Sequence, residues 1–223
     1  MTFQIPEGTP AEYLRGVDLP IWMAAITLHY VFAFVFASRS RKADLASQKW
    51  LYRAFAAFMA TYGVTRVLFA VAVYDPDNYD AWVNLGYVFG IAAFVPIIVV
   101  VERFLIPQTK FAFSALGVVL SVVSVLGLAA SLEREFILQV TQVAAPVLFG
   151  VVFLLYVVLV KQSTGIIRKK SARTLVGMLF LGLGIVLDGE AVLTLGVVPL
   201  WIAPVVYLLG VVLIGVYQSA STD

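Results

Sequence analysis

The chain has 223 residues, of which 62% are hydrophobic and 13% are charged, with a formal net charge of +2. The charged share is about half that of an ordinary soluble domain, and the apolar residues form long runs, so the composition excludes a typical water-soluble protein and indicates several membrane spans. Cysteine is absent, which excludes disulfides, thiolate nucleophiles and thiolate metal sites.

The helices predicted in chain order begin with a short one. Thr9 to Glu12 has the pattern of a capping box with proline at the first helical position, which predicts a surface helix near 10–17. Long apolar segments follow, each sufficient to cross a hydrocarbon core of about 30 Å. We predict an all-α fold, a single domain of seven transmembrane helices over residues 1–223. The predicted spans lie near 19–38, 51–74, 81–105, 111–131, 136–160, 173–195 and 198–218.

The basic residues predict the orientation. Twelve Lys and Arg flank the loops after the first, third and fifth spans, whereas Arg15 and Arg134 flank the opposite loops. Because basic residues accumulate in cytoplasmic loops, we predict that the N-terminus lies outside and the C-terminus inside the cytoplasmic (plasma) membrane. The longest loop is predicted at 161–172. Its basic stretch Arg168–Lys170 is expected to contact anionic membrane lipid or to dock a cytoplasmic partner.

Three charged residues fall inside predicted spans. Arg66 lies about 24 Å into the second span, counted from Trp50 at 1.5 Å per residue. Asp188 lies about 22 Å into the sixth span, counted from Arg173. A charge at this depth is costly, so Arg66 is expected to pair with an acidic residue. Asp188 and Glu190 point about 200° apart around a helix, so only one of them is expected to contact the arginine.

Further polar side chains cluster at the same outer depth. Tyr62 lies one helical turn before the arginine, and Asn84 and Tyr87 lie at the outer end of the third span. Gln142 lies at the outer end of the fifth span, and Tyr207 lies in the outer half of the seventh. Their concentration in one leaflet predicts an outward-facing ligand pocket. The alternative is an ion pair that only locks the second span to the sixth. His29, near the midplane of the first span, is expected to be a hydrogen-bonded packing residue, and the alternatives are a proton relay or a ligand contact.

The fourth predicted span carries small residues on one face. Ser114, Gly117, Ser121 and Ser124 follow one another at spacings of three and four, which places them along one side of a helix. Faces of this kind allow two helices to approach closely. The face is therefore expected either to pack inside the monomer or to form a homodimer.

The predicted topology resembles three classes of membrane protein. It is similar to the microbial rhodopsins, but residues 198–218 contain no lysine for a retinal Schiff base, which excludes a chromophore bound in that way. It resembles the PQ-loop transporters, but Pro107 and Gln108 lie at a junction between spans and not within one. It also resembles the seven-helix input modules of membrane sensors, in topology alone.

No metal cluster, nucleophile–base pair or cofactor motif is present in the sequence, so we expect no enzyme activity, no cofactor and no nucleic-acid partner. The leading prediction is a sensor- or receptor-like membrane protein with an outward-facing pocket, acting through a cytoplasmic partner. The alternatives are a small-solute transporter or its subunit, and a ligand-free structural or accessory subunit of a membrane complex. The nearly pure apolar cytoplasmic halves of the spans disfavour transport, since a solute needs polar groups on both sides of the midplane.

Overall fold

The computed structural model describes residues 18–104, 106–129, 134–189, 192, 199 and 201–219. The surface helix predicted near 10–17 lies outside these ranges. Two short 3₁₀ turns, Pro76–Asn78 and Pro107–Thr109, lie between longer helices. The long helices of the described residues are α1 (Asp18–Lys42), α2 (Ala46–Tyr74), α3 (Tyr79–Phe104), α4 (Ala112–Ala129), α5 (Arg134–Gln162), α6 (Gly165–Leu187) and α7 (Ile202–Ser219).

The all-α prediction is confirmed for the part of the chain that the structure describes. Five helices, namely α1, α2, α3, α6 and α7, are long and apolar enough to cross a membrane, as in an integral membrane protein. The helices α4 and α5 contribute shorter apolar segments, Ala112–Gly127 and Pro146–Gln162.

Six of the helices form a closed ring. Each packs on the next in the order α1, α2, α3, α5, α6 and α7, and α7 packs on α1. Helix α4 lies outside the ring, against α3 and α5. In this order α2 and α6 stand on opposite sides of the ring. Apolar side chains fill the centre and leave a void of about 10 Å³, lined by Phe55, Phe58, Phe94, Ile97, Phe149, Val152, Met178, Leu181 and Ile214.

The small-residue face of α4 is turned into the chain. Ser114 and Ser124 are buried, and a Cβ atom on Gly117 would lie 3.0 Å from Val95 of α3 and 3.5 Å from Leu148 of α5. The structure therefore uses this face for packing inside the monomer, and a homodimer through it would have to displace these contacts. The opposite side of α4 is exposed and apolar, with Leu116, Val118, Val119, Val122, Val125 and Leu126.

The prediction of a loop at 161–172 is wrong. Helix α5 continues to Gln162 and α6 begins at Gly165, so two residues separate them. Gly165 has a φ of 60°, a conformation that glycine adopts without steric cost, and it makes the tight turn possible. The stretch Arg168–Lys170 is therefore a helical surface at the start of α6. A basic composition suggested a loop, although lysine and arginine are good helix formers.

Helix α6 also ends earlier than the predicted sixth span. Its last residue is Leu187, and the backbone N–H of Asp188 donates to the carbonyl of Gly184 at 3.0 Å. Asp188 therefore lies at the C-terminal end of the helix and not inside it. A carboxylate there opposes the helix dipole, so it needs a cation nearby. Glu190 lies outside the described residues.

Glu102 joins the end of α3 to the start of α4. Its Oε1 accepts hydrogen bonds from the Thr109 hydroxyl at 2.8 Å and the Phe113 N–H at 2.9 Å. Its Oε2 accepts from the N–H of Ser114 at 2.7 Å and from the hydroxyl of the same residue. The carboxylate thus satisfies backbone donors that the first turn of a helix leaves without partners.

Asp75 occupies the turn between α2 and α3. It accepts hydrogen bonds from the indole N–H of Trp82 at 2.9 Å and from the side-chain amide of Asn78. These donors hold the pKa of Asp75 below its usual value, because they stabilise the ionised carboxylate. Asp75 is therefore an anion at neutral pH at this end of the ring.

Helices α6 and α7 approach each other through glycines. A Cβ atom on Gly184 would lie 2.6 Å from the backbone of Tyr207, and one on Gly210 would lie 2.4 Å from the backbone of Leu181. Both distances are shorter than van der Waals contact, so neither position has room for a methyl group unless the helices separate.

Gly184→Ala is therefore expected to destabilise the protein by about 1–3 kcal/mol, the usual effect of overpacking. Gly150→Ala on α5 is the matched control, because no atom lies within 4 Å of its Cβ position. The control is expected to be neutral or slightly stabilising, since alanine favours helix more than glycine does. Thermal unfolding in detergent measures both, and equal stabilities of the two variants would contradict the close packing of α6 on α7.

Candidate functional site

Arg66 reaches across the ring of helices. Its side chain is 5% exposed, and Nη1 donates to Oδ2 of Asp188 at the end of α6. The pairing expected from the sequence is therefore present, with Asp188 as the partner. Because α2 and α6 stand on opposite sides of the ring, the ion pair joins two helices that are not neighbours. It is the one salt bridge among the described residues.

Aromatic rings enclose the guanidinium. Its Cζ lies 4.4 Å from the ring centroid of Trp22 on α1 and 4.2 Å from that of Tyr207 on α7. These two rings contact each other, with centroids 5.2 Å apart. Tyr62 and Phe69 of α2 lie at 5.8 Å each. At such distances the attraction between a cation and aromatic faces offsets part of the lost hydration.

His29 extends the cluster toward the middle of the ring. It is fully buried on α1, and its Nε2 lies 2.6 Å from the hydroxyl oxygen of Tyr207. Its ring stacks on Tyr62 with centroids 5.9 Å apart. Its Nδ1 has no hydrogen-bond partner of normal geometry in the described part of the chain. Its burial and its contact with Tyr207 are compatible with a hydrogen-bonded packing residue, one of the roles expected for it.

Some of the remaining predicted site residues lie at the margin of the cluster, and others lie outside the part of the chain that the structure describes. Tyr87 of α3 packs edge-on against Phe69, with centroids 5.4 Å apart, so it touches one of the rings around the arginine. Asn84 is buried, and its Oδ1 has no partner among the described residues. The side chain of Gln142 and all of Glu190 lie outside the described part.

A void and a groove among the described residues lie near the site, and neither is lined by Arg66 or Asp188. One is the small apolar void at the centre of the ring. The other is a groove of about 450 Å³ on the side of α1 and α2. The side chain of Asp188 is 28% exposed, so it is the more accessible member of the pair. The groove is lined by Met23, Ile26, Val67, Ala70, Val71, Tyr74 and Asp75. The predicted outward-facing pocket stays a prediction.

Trp22 and Tyr207 complete the site. Tyr207 is one of the polar residues expected at this depth, although it was not assigned to the pocket, and Trp22 was not among the predicted site residues. Tryptophan near the end of a membrane helix is usually an anchor at the headgroups, yet Trp22 is 8% exposed and faces the guanidinium. Tyr207 is fully buried. Aromatic residues at the depth of a buried arginine are the sequence signal that points to such contacts.

Fold and site together define an all-α protein with membrane-length apolar helices and a buried, aromatic-lined ion pair. No group of His, Asp and Glu that could hold a metal ion occurs among the described residues. Comparisons with models of known protein families, with curated proteins and with solved structures find no match.

Removing one partner of the Arg66–Asp188 pair is expected to cost more than removing both. Arg66→Met leaves a carboxylate without its countercharge and is expected to lower the free energy of unfolding by about 3 kcal/mol. Asp188→Asn leaves the arginine without its anion, with a loss of similar size. The double variant is expected to recover part of the loss, because no unpaired charge remains.

Unfolding of the wild type, the two single variants and the double variant in one detergent measures the coupling. Losses that simply add in the double variant would contradict a direct ion pair.

Proposed function

We propose that the chain is a seven-span integral protein of the cytoplasmic (plasma) membrane, with its N-terminus outside and its C-terminus in the cytoplasm. The five helices of membrane-spanning length support this, as do the shorter apolar segments of α4 and α5 at the places of the fourth and fifth predicted spans. The Arg66 cluster supports the alternation of direction. It joins the starts of α1 and α7 to the ends of α2 and α6, as an up-and-down arrangement requires.

We infer that the protein is sensor- or receptor-like, and that the Arg66–Asp188 pair is its switch. The observation that carries this is a single buried cation that ties opposite helices of the ring. This ion pair has two states. While it is formed, α2 and α6 are held together, and once it is broken they are free to separate. A ligand that favours one state shifts the population toward it.

The exposure of the two partners indicates how a ligand would act. Arg66 is enclosed, whereas the side chain of Asp188 is partly exposed at the outer end of α6. A ligand that carries its own carboxylate or phosphate competes with Asp188 for the guanidinium, because arginine binds such groups through paired hydrogen bonds. Movement of α6 would then displace Arg168–Lys170 at its inner end, where a cytoplasmic partner would detect it.

A ligand-free accessory subunit is the second candidate. The enclosure of Arg66 by aromatic rings, with neither cavity reaching the pair, favours a permanent lock between α2 and α6. A transporter has no comparable support, since the centre of the ring is apolar and its void of about 10 Å³ offers a solute no hydrated path.

The proposed orientation can be tested with single cysteines, because the chain has none of its own. Asp77→Cys, in the turn before α3, is expected to react with a membrane-impermeant maleimide on intact cells. Thr164→Cys, in the turn between α5 and α6, is expected to react only after the membrane is permeabilised. Labelling of both from one side would contradict the three spans proposed between them.

The switch can be tested by a distance between the inner ends of α2 and α6. Spin labels on Ser47→Cys and Lys169→Cys report this distance by pulsed electron paramagnetic resonance. Arg66→Met is expected to lengthen and broaden the distance distribution, because the tie at the other end of the ring is lost.

Arg41→Met is the control, since it removes an exposed arginine that lies outside the cluster, at the end of the neighbouring helix α1. An unchanged distance in Arg66→Met together with a reduced unfolding temperature would identify a permanent lock and overturn the switch.

A further inference from the structure

Two guanidinium groups converge on one indole at the opposite end of the ring from Arg66. Trp50, near the start of α2, is 40% exposed. The Cζ atoms of Arg53 on α2 and Arg103 on α3 lie 5.5 Å and 5.3 Å from its ring centroid. Arg103 also lies 5.5 Å from the ring of Phe104. Adjacent helices thus bring two cations and two exposed aromatic rings to one place.

No carboxylate neutralises these cations within the described residues. Neither arginine forms a salt bridge there. Glu102 precedes Arg103 in the sequence, but both of its carboxylate oxygens accept hydrogen bonds from the start of α4. Two cations that share one ring repel each other, and the repulsion falls when an anion lies between them. The arrangement therefore offers charge and N–H donors that no carboxylate of the described residues occupies.

The chemistry of the three side chains selects the anion. Guanidinium groups bind phosphate through paired hydrogen bonds. Tryptophan favours the headgroup level of a membrane, and basic residues there attract anionic lipid. Trp50 and Phe104 present apolar surface beside the cations, which the glycerol and upper acyl chains of a lipid would cover and a free phosphate would not.

We propose that Arg53, Trp50 and Arg103 form a binding site for the phosphate of an anionic phospholipid. In the proposed orientation this lipid belongs to the cytoplasmic leaflet. The site requires insertion in a membrane but not the receptor role, so its failure would leave the Arg66 switch unaffected.

Competition between two lipids tests the site. The purified protein is incubated with equal amounts of phosphatidylglycerol and phosphatidylcholine, and native mass spectrometry counts the lipids that stay bound. The wild type is expected to retain phosphatidylglycerol. Arg53→Gln combined with Arg103→Gln is expected to reduce that preference about tenfold, since both guanidinium groups that would hold the phosphate are lost.

Arg41→Gln combined with Lys42→Gln is the matched control. It removes the same charge from exposed positions at the end of α1. Less than a twofold loss is expected, because these residues are not part of the site. Equal losses in the two double variants would show that only the general positive charge attracts lipid, and would overturn the proposal.

Trp50 supplies a second, independent readout. Its fluorescence is taken as the difference between wild type and Trp50→Phe in vesicles that contain brominated lipid. Brominated phosphatidylglycerol is expected to quench this signal more than brominated phosphatidylcholine does, and the difference is expected to vanish in the arginine double variant. Equal quenching by both lipids in the wild type would contradict the site. Loss of quenching on addition of inorganic phosphate would assign it to a soluble anion and overturn the lipid assignment.

Discussion

A guanidinium inside an apolar bundle must be neutralised where it lies, and this constraint organises one end of the structure. Asp188 supplies the opposite charge, and Trp22 and Tyr207 supply aromatic faces in place of water. Each of these residues comes from a different helix. Arg66 is accommodated only when α1, α2, α6 and α7 have the correct rotation and axial position. One side chain therefore specifies how four helices are aligned, which uniform apolar surfaces cannot do.

Close approach of the backbones makes this cluster possible. Gly184 lets α6 lie against the backbone of Tyr207, which brings the tyrosine ring to the arginine. Gly63 has a similar role between α2 and α1, since a Cβ atom there would lie 3.2 Å from that of His29. The hydrogen bond between His29 and Tyr207 then holds the tyrosine hydroxyl. The glycines thus set the distances between the helices, and the buried charge sets the rotation and the axial position of each helix.

The sequence predicted a contact correctly where the chemistry of a residue allowed few partners. Arg66 could be paired in advance with one of Asp188 and Glu190, because all three lie deep in predicted spans, where an unpaired charge is costly. The contacts of Trp22 and Tyr207 could not, because they depend on the rotation of each helix about its axis. Helices that are apolar on all sides carry little periodic signal for that rotation. The loop expected at 161–172 failed for another reason: its composition is polar, but Lys169 and Lys170 favour helix as readily as loop.

The cations at the two ends of the ring have different surroundings. At one end Arg66 is enclosed and paired with a carboxylate of the protein, whereas at the other Arg53 and Arg103 share Trp50 without one in the described residues. The void between the ends is lined by apolar side chains alone, so no chain of polar groups runs through it. Helix α2 offers a mechanical connection between the two ends. Helix α2 carries both Arg66 and Arg53, so a shift of α2 when the ion pair breaks would also move Trp50 relative to the lipid headgroups.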